Sequence, residues 1–103
     1  MTKLLKVIWQ FKESDSTNTY ISETNFNSLG YRELRAENYT DAIDIFKINA
    51  ALYPESDNVY DSLAEAYFRN GDTINAVKNY KNAIAIDSGN RRAKEFVKKY
   101  EKK

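Results

Sequence analysis

The sequence predicts an all-α protein built from antiparallel helix–turn–helix repeats. The first observation is an internal repeat, because a shift of 34 residues lays residues 28–51 on residues 62–85, and a period in this range is typical of repeat architectures. The second is that apolar residues recur at helical spacing within each copy. The third is that turn-forming residues divide each copy into two halves. The identical pairs are Ser28 and Ser62, Leu29 and Leu63, Arg35 and Arg69, Ala42 and Ala76, Lys47 and Lys81, and Ala51 and Ala85.

Composition limits the chain to one small domain and argues against an enzyme. Its 103 residues leave no room for separate catalytic and substrate domains. The sequence has no cysteine and no histidine, so thiolate chemistry is excluded and the commonest general base and metal ligand are missing. We therefore expect a non-enzymatic protein without cofactor or metal. No apolar run approaches the roughly 20 residues of a membrane-spanning helix.

The first copy predicts a helix from about Ser22 to Ala36 and another from about Tyr39 to Leu52. Ser22 is a good N-cap residue, and residues 36–38 form the turn between the two helices. Pro54 follows the second helix, which it prevents from continuing.

The second copy repeats this arrangement. An apolar stripe over residues 59–68 predicts the first helix, and residues 74–84 predict the second. Gly71, in the turn at residues 70–72, can adopt a left-handed conformation. Asn90 can cap a fifth helix, from about Arg91 to Lys102.

Residues before the first copy are ambiguous. Leu4, Leu5, Ile8 and Phe11 fit one face of a helix, which we favour, but Val7, Trp9 and Phe11 alternate as in a strand. The polar residues 13–19 indicate a loop. The predicted divisions are an N-terminal segment at 1–22, a first repeat at 23–56, a second repeat at 57–90 and a basic capping helix at 91–103.

These markers resemble the tetratricopeptide repeat (TPR), a 34-residue helix–turn–helix unit. The resemblance covers about residues 23–100, and the sequence departs from the pattern at Glu33, Asn49 and Ser88. It implies a right-handed superhelical α–α solenoid of two TPR units and a C-terminal capping helix. Small residues should allow close helix approach at Gly30, Ala42, Ala64 and Ala76, and aromatic rings should fill the gaps at Phe46, Tyr60 and Tyr80. The markers in register are Phe26, Leu29, Gly30, Ala42, Phe46 and Pro54 in the first copy and Tyr60, Leu63, Ala64, Tyr67, Ala76, Tyr80 and Ala83 in the second.

The resemblance also implies a function, since the first helix of each TPR unit lines a concave groove for a peptide or a partner helix. Tyr31 and Arg35 would contact a peptide, and Asp61 with Glu65 would favour a basic one. The charges are mixed, so shape and amide contacts should dominate recognition. The alternative for any one of these residues is a solvated surface position. The candidate groove residues are Asn27, Tyr31, Arg35, Asn58, Asp61, Glu65, Arg69 and Arg92, continued by Glu95 and Lys99.

Two classes of partner are disfavoured. TPR domains that clamp the acidic C-termini of chaperones use Lys and Asn on the first helix, Asn on the third, and Lys with Arg on the fifth. At those places this chain has Asn27, Tyr31, Ser62, Arg92 and Phe96, and only Arg92 fits. Nucleic acid is disfavoured too, although the last thirteen residues carry seven lysines and arginines. Those charges are explained by the polar outer face that a terminal helix needs, supplied by Lys94, Lys98 and Lys102.

A narrower resemblance links residues 27–31, 46–49 and 58–63 to TPR segments at the C-terminal end of bacterial serine hydrolases of esterase and penicillin-binding types. The alternative function is therefore an accessory domain that positions or dimerises such a catalytic domain. As it stands the chain is expected in the cytoplasm, and the compartment stays open if it belongs to a longer exported protein.

Two repeats bury a small core, so we expect the first repeat to be covered, in cis or across a homodimer, by Leu4, Leu5, Ile8 and Trp9.

Overall fold

A computed structural model describes residues 22–101 of the chain. Each helix packs mainly against its neighbours in the sequence, and α1 also contacts α3. No strand occurs in this part of the chain, so the predicted all-α repeat is confirmed. The five helices are α1 (Glu23–Arg35), α2 (Tyr39–Leu52), α3 (Asp57–Arg69), α4 (Thr73–Ile86) and α5 (Arg91–Tyr100).

The helix ends follow local sequence signals closely. Ser22 caps α1 as predicted, because its Oγ accepts a hydrogen bond from the Asn25 amide at 3.0 Å. α2 ends two residues before Pro54. The prediction for the last helix was too long, since α5 ends at Tyr100 and Glu101 has extended backbone angles. Predictions for residues 1–21, among them Leu4, Leu5, Ile8 and Trp9, lie outside the described residues.

Small residues sit where the paired helices touch. A Cβ added to Gly30 would lie only 2.6 Å from Cζ of Phe46, so α1 and α2 can approach closely only because Gly30 has no side chain. Ala42, Ala64 and Ala76 are fully buried. These observations confirm the packing role that the sequence predicted for the small positions.

Asn49, one of the departures from the repeat pattern, ties two helices together. It is fully buried, and its Nδ2 donates a hydrogen bond of 3.1 Å to the Glu23 carbonyl oxygen at the start of α1. Its Oδ1 has no hydrogen-bond partner among residues 22–101. The bond joins α2 to the first turn of α1, and the unpaired Oδ1 carries a cost in desolvation.

α5 covers the second repeat with an aromatic cluster. Ala93 is buried beside Ala64 and Tyr80 of the second repeat, and the Phe96 ring centroid lies 4.5 Å from that of Tyr80. Phe96 also meets Phe68 edge-on at 5.0 Å. Lys94 and Lys98 are exposed on the other side of α5, which gives the helix the polar outer face of a cap.

Candidate peptide-binding face

The candidate residues lie on α1, α3 and α5, the helices that open each unit. On α1, Asn27, Tyr31 and Arg35 follow one another at intervals of four residues and so share one face. On α3, Asp61, Glu65 and Arg69 do the same. Because α1 and α3 are in contact, their side chains can form a continuous surface, which we call the polar face.

Three of the predicted residues are joined in a line across the three helices. The Tyr31 hydroxyl donates a hydrogen bond of 3.0 Å to Oε1 of Glu65. The same oxygen lies 3.7 Å from Nη2 of Arg92. Glu65 is therefore the centre of the line, with a hydroxyl on one side and a guanidinium on the other. Its side chain is 31% exposed and that of Arg92 is 65% exposed, so both remain accessible.

Tyr31 is more deeply built into the fold than its sequence position suggested. Its ring meets the buried Phe46 ring edge-on, with centroids 5.2 Å apart. Burial raises the pKa of Tyr31, and the neighbouring Glu65 carboxylate adds to the increase. Tyr31 thus presents its half-buried hydroxyl end to the polar face, while Arg35, its expected partner, is exposed.

A second connection between α1 and α3 was missed by the sequence argument. The Ser62 hydroxyl donates a hydrogen bond of 2.6 Å to Oδ1 of Asn27. Ser62 is only 1% exposed, so this bond satisfies a polar group within the interface. A serine in the buried stripe of α3 was the available signal, because a buried hydroxyl needs a partner.

Asp61 is held by the cap of the last helix. Asn90 caps α5 by accepting the Ala93 amide on its Oδ1 at 3.0 Å, and its Nδ2 donates to Oδ2 of Asp61 at 2.9 Å. The other oxygen of Asp61 is buried and has no hydrogen-bond partner in residues 22–101. Burial raises the pKa of Asp61, although the Asn90 bond and the charge of Arg92 oppose the increase.

Arg92 links the polar face to the core of the second repeat. Burial raises the pKa of Tyr80, while a hydrogen bond to Arg92 and the positive charge of Arg92 oppose that increase. Burial alone would lower the pKa of Arg92, but its interactions with Tyr80, Asp61 and Glu65 outweigh burial and raise it. Arg92 thus stays protonated beside the carboxylates of Asp61 and Glu65.

The remaining predicted residues do not join this network. Arg35, Asn58 and Arg69 are exposed and flank the polar face along α1 and α3. Among residues 22–101 no group of His, Cys, Asp or Glu side chains has a geometry that could hold a metal ion. The polar face is thus a set of hydrogen-bond donors and acceptors with mixed charge.

Comparison with known proteins gives one informative result. No protein-family model matches the chain. Superkiller protein 3 of Schizosaccharomyces pombe is 32% identical to it over 104 residues, and the alignment covers 97% of this chain. The chain spans 8% of the length of that curated relative.

The similarity and the five helices together support a TPR-like helical repeat, and such a repeat suggests a module for contact between proteins. The narrower resemblance to appendages of bacterial serine hydrolases stays a prediction. Within residues 22–101, no helix has the length and the apolar character needed to cross a membrane.

Proposed function

We propose that the chain is a non-enzymatic binding module that holds an extended peptide or a partner helix against the polar face. The observation that carries this proposal is the line formed by Tyr31, Glu65 and Arg92, which comes from three helices far apart in sequence. The line joins residues that the repeat places at the same side of successive units. A surface organised in advance lowers the entropy that a partner must lose on binding.

The chemistry of the face favours a partner with many amide groups. Glu65 already faces Arg92, so these two opposite charges offset each other in part. Asp61 and the exposed Arg35 and Arg69 add charge of both signs nearby, which does not favour a ligand of one strong charge. The exposed side-chain amide of Asn58 can donate and accept hydrogen bonds with a peptide backbone, and the partly exposed carboxylate of Glu65 can accept them. Recognition should therefore depend on hydrogen bonding and shape, and only weakly on salt concentration.

A selection from a phage-displayed library of random linear peptides tests the proposal on the full chain. The affinity of a selected peptide is then measured by calorimetry for the Tyr31→Phe, Glu65→Gln and Arg92→Gln variants. Each removes one member of the line, and we expect the dissociation constant to rise about tenfold, since one lost hydrogen bond to a charged group is worth about 1.5 kcal/mol.

The matched control is Lys47→Ala on α2, because Lys47 is exposed on a helix that contributes nothing to the polar face. Its affinity for the peptide should stay unchanged. The proposal is wrong if the library yields no binder, or if binding is lost with Lys47→Ala and kept with all three variants of the line.

A further inference from the structure

The first repeat has an apolar surface on another side of α1 from Asn27 and Tyr31. Two of its residues are buried and three are half-buried, and they pack together between α1 and α2. We call this surface the outer cluster. Its members are Phe26 and Leu29 of α1 and Ile45, Ile48 and Leu52 of α2.

The internal repeat shows that this surface is unusual. Thirty-four residues further on, Ile45 is replaced by Asn79 and Ile48 by Asn82. Asn79 is buried like Ile45, and its Nδ2 donates a hydrogen bond of 2.9 Å to the Asn75 carbonyl oxygen of its own helix. Asn82 is exposed, so the contrast between the repeats concerns the position of Ile48, where the second repeat presents a polar side chain to water. Ile48 would contribute little to stability in the surroundings of Asn82, because apolar side chains stabilise a fold only when they are removed from water.

A second difference between the repeats is the burial of the matched leucines Leu29 and Leu63. Leu63 of α3 is 5% exposed and packs in a cluster with Ala42 and Phe46 of α2. Leu29, its counterpart on α1, is half-buried, and residues 22–101 contain no unit before α1 that could pack on it. The next residue along the same face of α1 is the exposed Arg32, where α3 has the buried Ala66. The contact that Leu63 and Ala66 of α3 make with α2 is therefore not repeated at the matched positions of α1 within residues 22–101.

The charges beside the outer cluster also differ between the repeats. α2 carries Asp41 and Asp44 next to the isoleucine stripe, and the matched positions of α4 are Asn75 and Lys78. The first repeat is thus acidic at a position where the second is neutral or basic. Its surroundings suit an occupant that is apolar on one side and positively charged on the other.

We propose that residues 1–12 of the same molecule cover the outer cluster through Leu4, Leu5, Ile8 and Trp9. This segment combines the four apolar residues with three lysines and no acidic residue. The linker at residues 13–21 is short: nine residues reach at most about 30 Å, and the outer cluster begins at Phe26, only four residues after the cap of α1. A linker this short holds the segment at an effective concentration on the order of millimolar, which favours binding in the same molecule over binding to a second copy.

Trp9 reports directly on the proposal, because it is the only tryptophan in the sequence. In the full chain we expect blue-shifted Trp9 emission with weak quenching by acrylamide. Ile48→Asn, which introduces the residue of the second repeat, should shift the emission to the red and increase quenching several-fold. Asp44→Lys also introduces the residue found at the matched position of the second repeat. It should shift Trp9 emission to the red and increase acrylamide quenching by a smaller amount, and it should make the quenching less dependent on salt concentration.

The control is Ile74→Asn, since Ile74 is 83% exposed on α4 of the second repeat and its replacement should leave Trp9 emission unchanged. Far-UV circular dichroism of each variant establishes that the helices are retained. The proposal is overturned if acrylamide fully quenches Trp9 in the unsubstituted chain. It is also overturned if Ile48→Asn and Asp44→Lys leave Trp9 as well protected from acrylamide as it is in the unsubstituted chain. Protection that disappears on dilution overturns it as well, because the occupant is then the segment of a second copy.

Discussion

The two repeats have the same order of helices but different surroundings. α3 packs against α2 on one side and α4 on the other, whereas in the described part of the chain α1 packs closely against α2 and touches α3 over a smaller area. The same residue therefore has different roles at matched positions. Ser28 is exposed, while Ser62 is 1% exposed and hydrogen-bonded to Asn27. Position in the array, and not residue type, decides whether this serine is part of the core.

The repeats also differ in how their turns are built. Glu37 and Gly71 occupy the same position and both have positive φ angles, of 64° and 84°. Gly71 adopts this conformation without strain, whereas a residue with a side chain does not. The next residue in the chain is the N-cap of the second helix, Asn38 in the first repeat and Asp72 in the second. Asp72 accepts a hydrogen bond from the Asn75 amide at 3.1 Å, whereas Asn38 makes no such bond with its side chain. In this turn the local signals are thus stronger in the second repeat, whereas at the first helix of each repeat Ser22 makes a capping bond and Ser56 does not.

The largest expected effect concerns the contact between Gly30 and Phe46. Gly30→Ala should destabilise the protein by up to about 2 kcal/mol, because overpacking costs about 1–3 kcal/mol and better helix propensity returns only about 1 kcal/mol. The free energy of unfolding, measured in urea, checks this value. In the second repeat Ala64 already has the additional methyl group.

A double-mutant cycle isolates the contact. In a Phe46→Leu background the ring that meets the new methyl group is gone, so Gly30→Ala should become neutral or stabilising. An equal loss of stability in both backgrounds would show that the close approach of α1 and α2 is not the cause.

The second largest expected effect on the free energy of unfolding concerns the helix N-cap residues Asp72 and Asn38. Asp72→Ala should lower the free energy of unfolding by about 1 kcal/mol at neutral pH through loss of the helix cap, and Asn38→Ala should lower it less. The hydrogen bonds from the side chain and the backbone amide of Asn75 lower the pKa of Asp72. The stabilisation by Asp72 is therefore complete above its ordinary pKa of 3.8 and is lost as the pH falls through the lower value of the folded state.

Urea unfolding as a function of pH checks whether the stabilisation by Asp72 decreases as the pH falls. The difference between the unsubstituted protein and Asp72→Ala should shrink in acid, while the difference for Asn38→Ala should stay constant. If the Asp72→Ala difference is independent of pH, the carboxylate does not act as the cap.

Glu37→Gly should have the smallest effect, a gain of about 0.5 kcal/mol. Glycine removes the left-handed strain of about 1–2 kcal/mol but makes the unfolded chain more flexible, which offsets much of the gain. The control is Gly71→Ala, which should destabilise the protein because its φ of 84° is unfavourable for alanine. Thermal unfolding measures both, and opposite shifts in melting temperature are expected. A lower melting temperature for Glu37→Gly would contradict the strain argument.

Much of the fold was accessible from the sequence because its signals are local and periodic. The helix ends at Ser22, Leu52 and Asn90 follow from capping residues and from Pro54. The small residues Gly30 and Ala64 were recognised because they recur in the repeat. The end of α5 was placed two residues too late, since a run of lysines has equal preference for the last turn of a helix and for the chain beyond it.

The candidate face was only partly accessible. The period placed Tyr31 and Glu65 on one side of successive units, but it contained no information on which atoms meet. The bonds from Ser62 to Asn27 and from Asn90 to Asp61 join residues 35 and 29 positions apart and depend on side-chain rotamers. Pattern reasoning follows faces of helices and does not resolve such pairs.

Within residues 22–101, the sequence by itself determined the 34-residue unit, the order of the helices and the apolar faces that pack together, because apolar periodicity and capping act within a few turns of the chain. Only the tertiary structure decided which of two matched residues is buried, which carboxylate stands beside Arg92, and which apolar surface of the first repeat remains half-covered. The reason is that burial and the pKa of a side chain depend on neighbours from other helices, and the two described copies do not have the same neighbours.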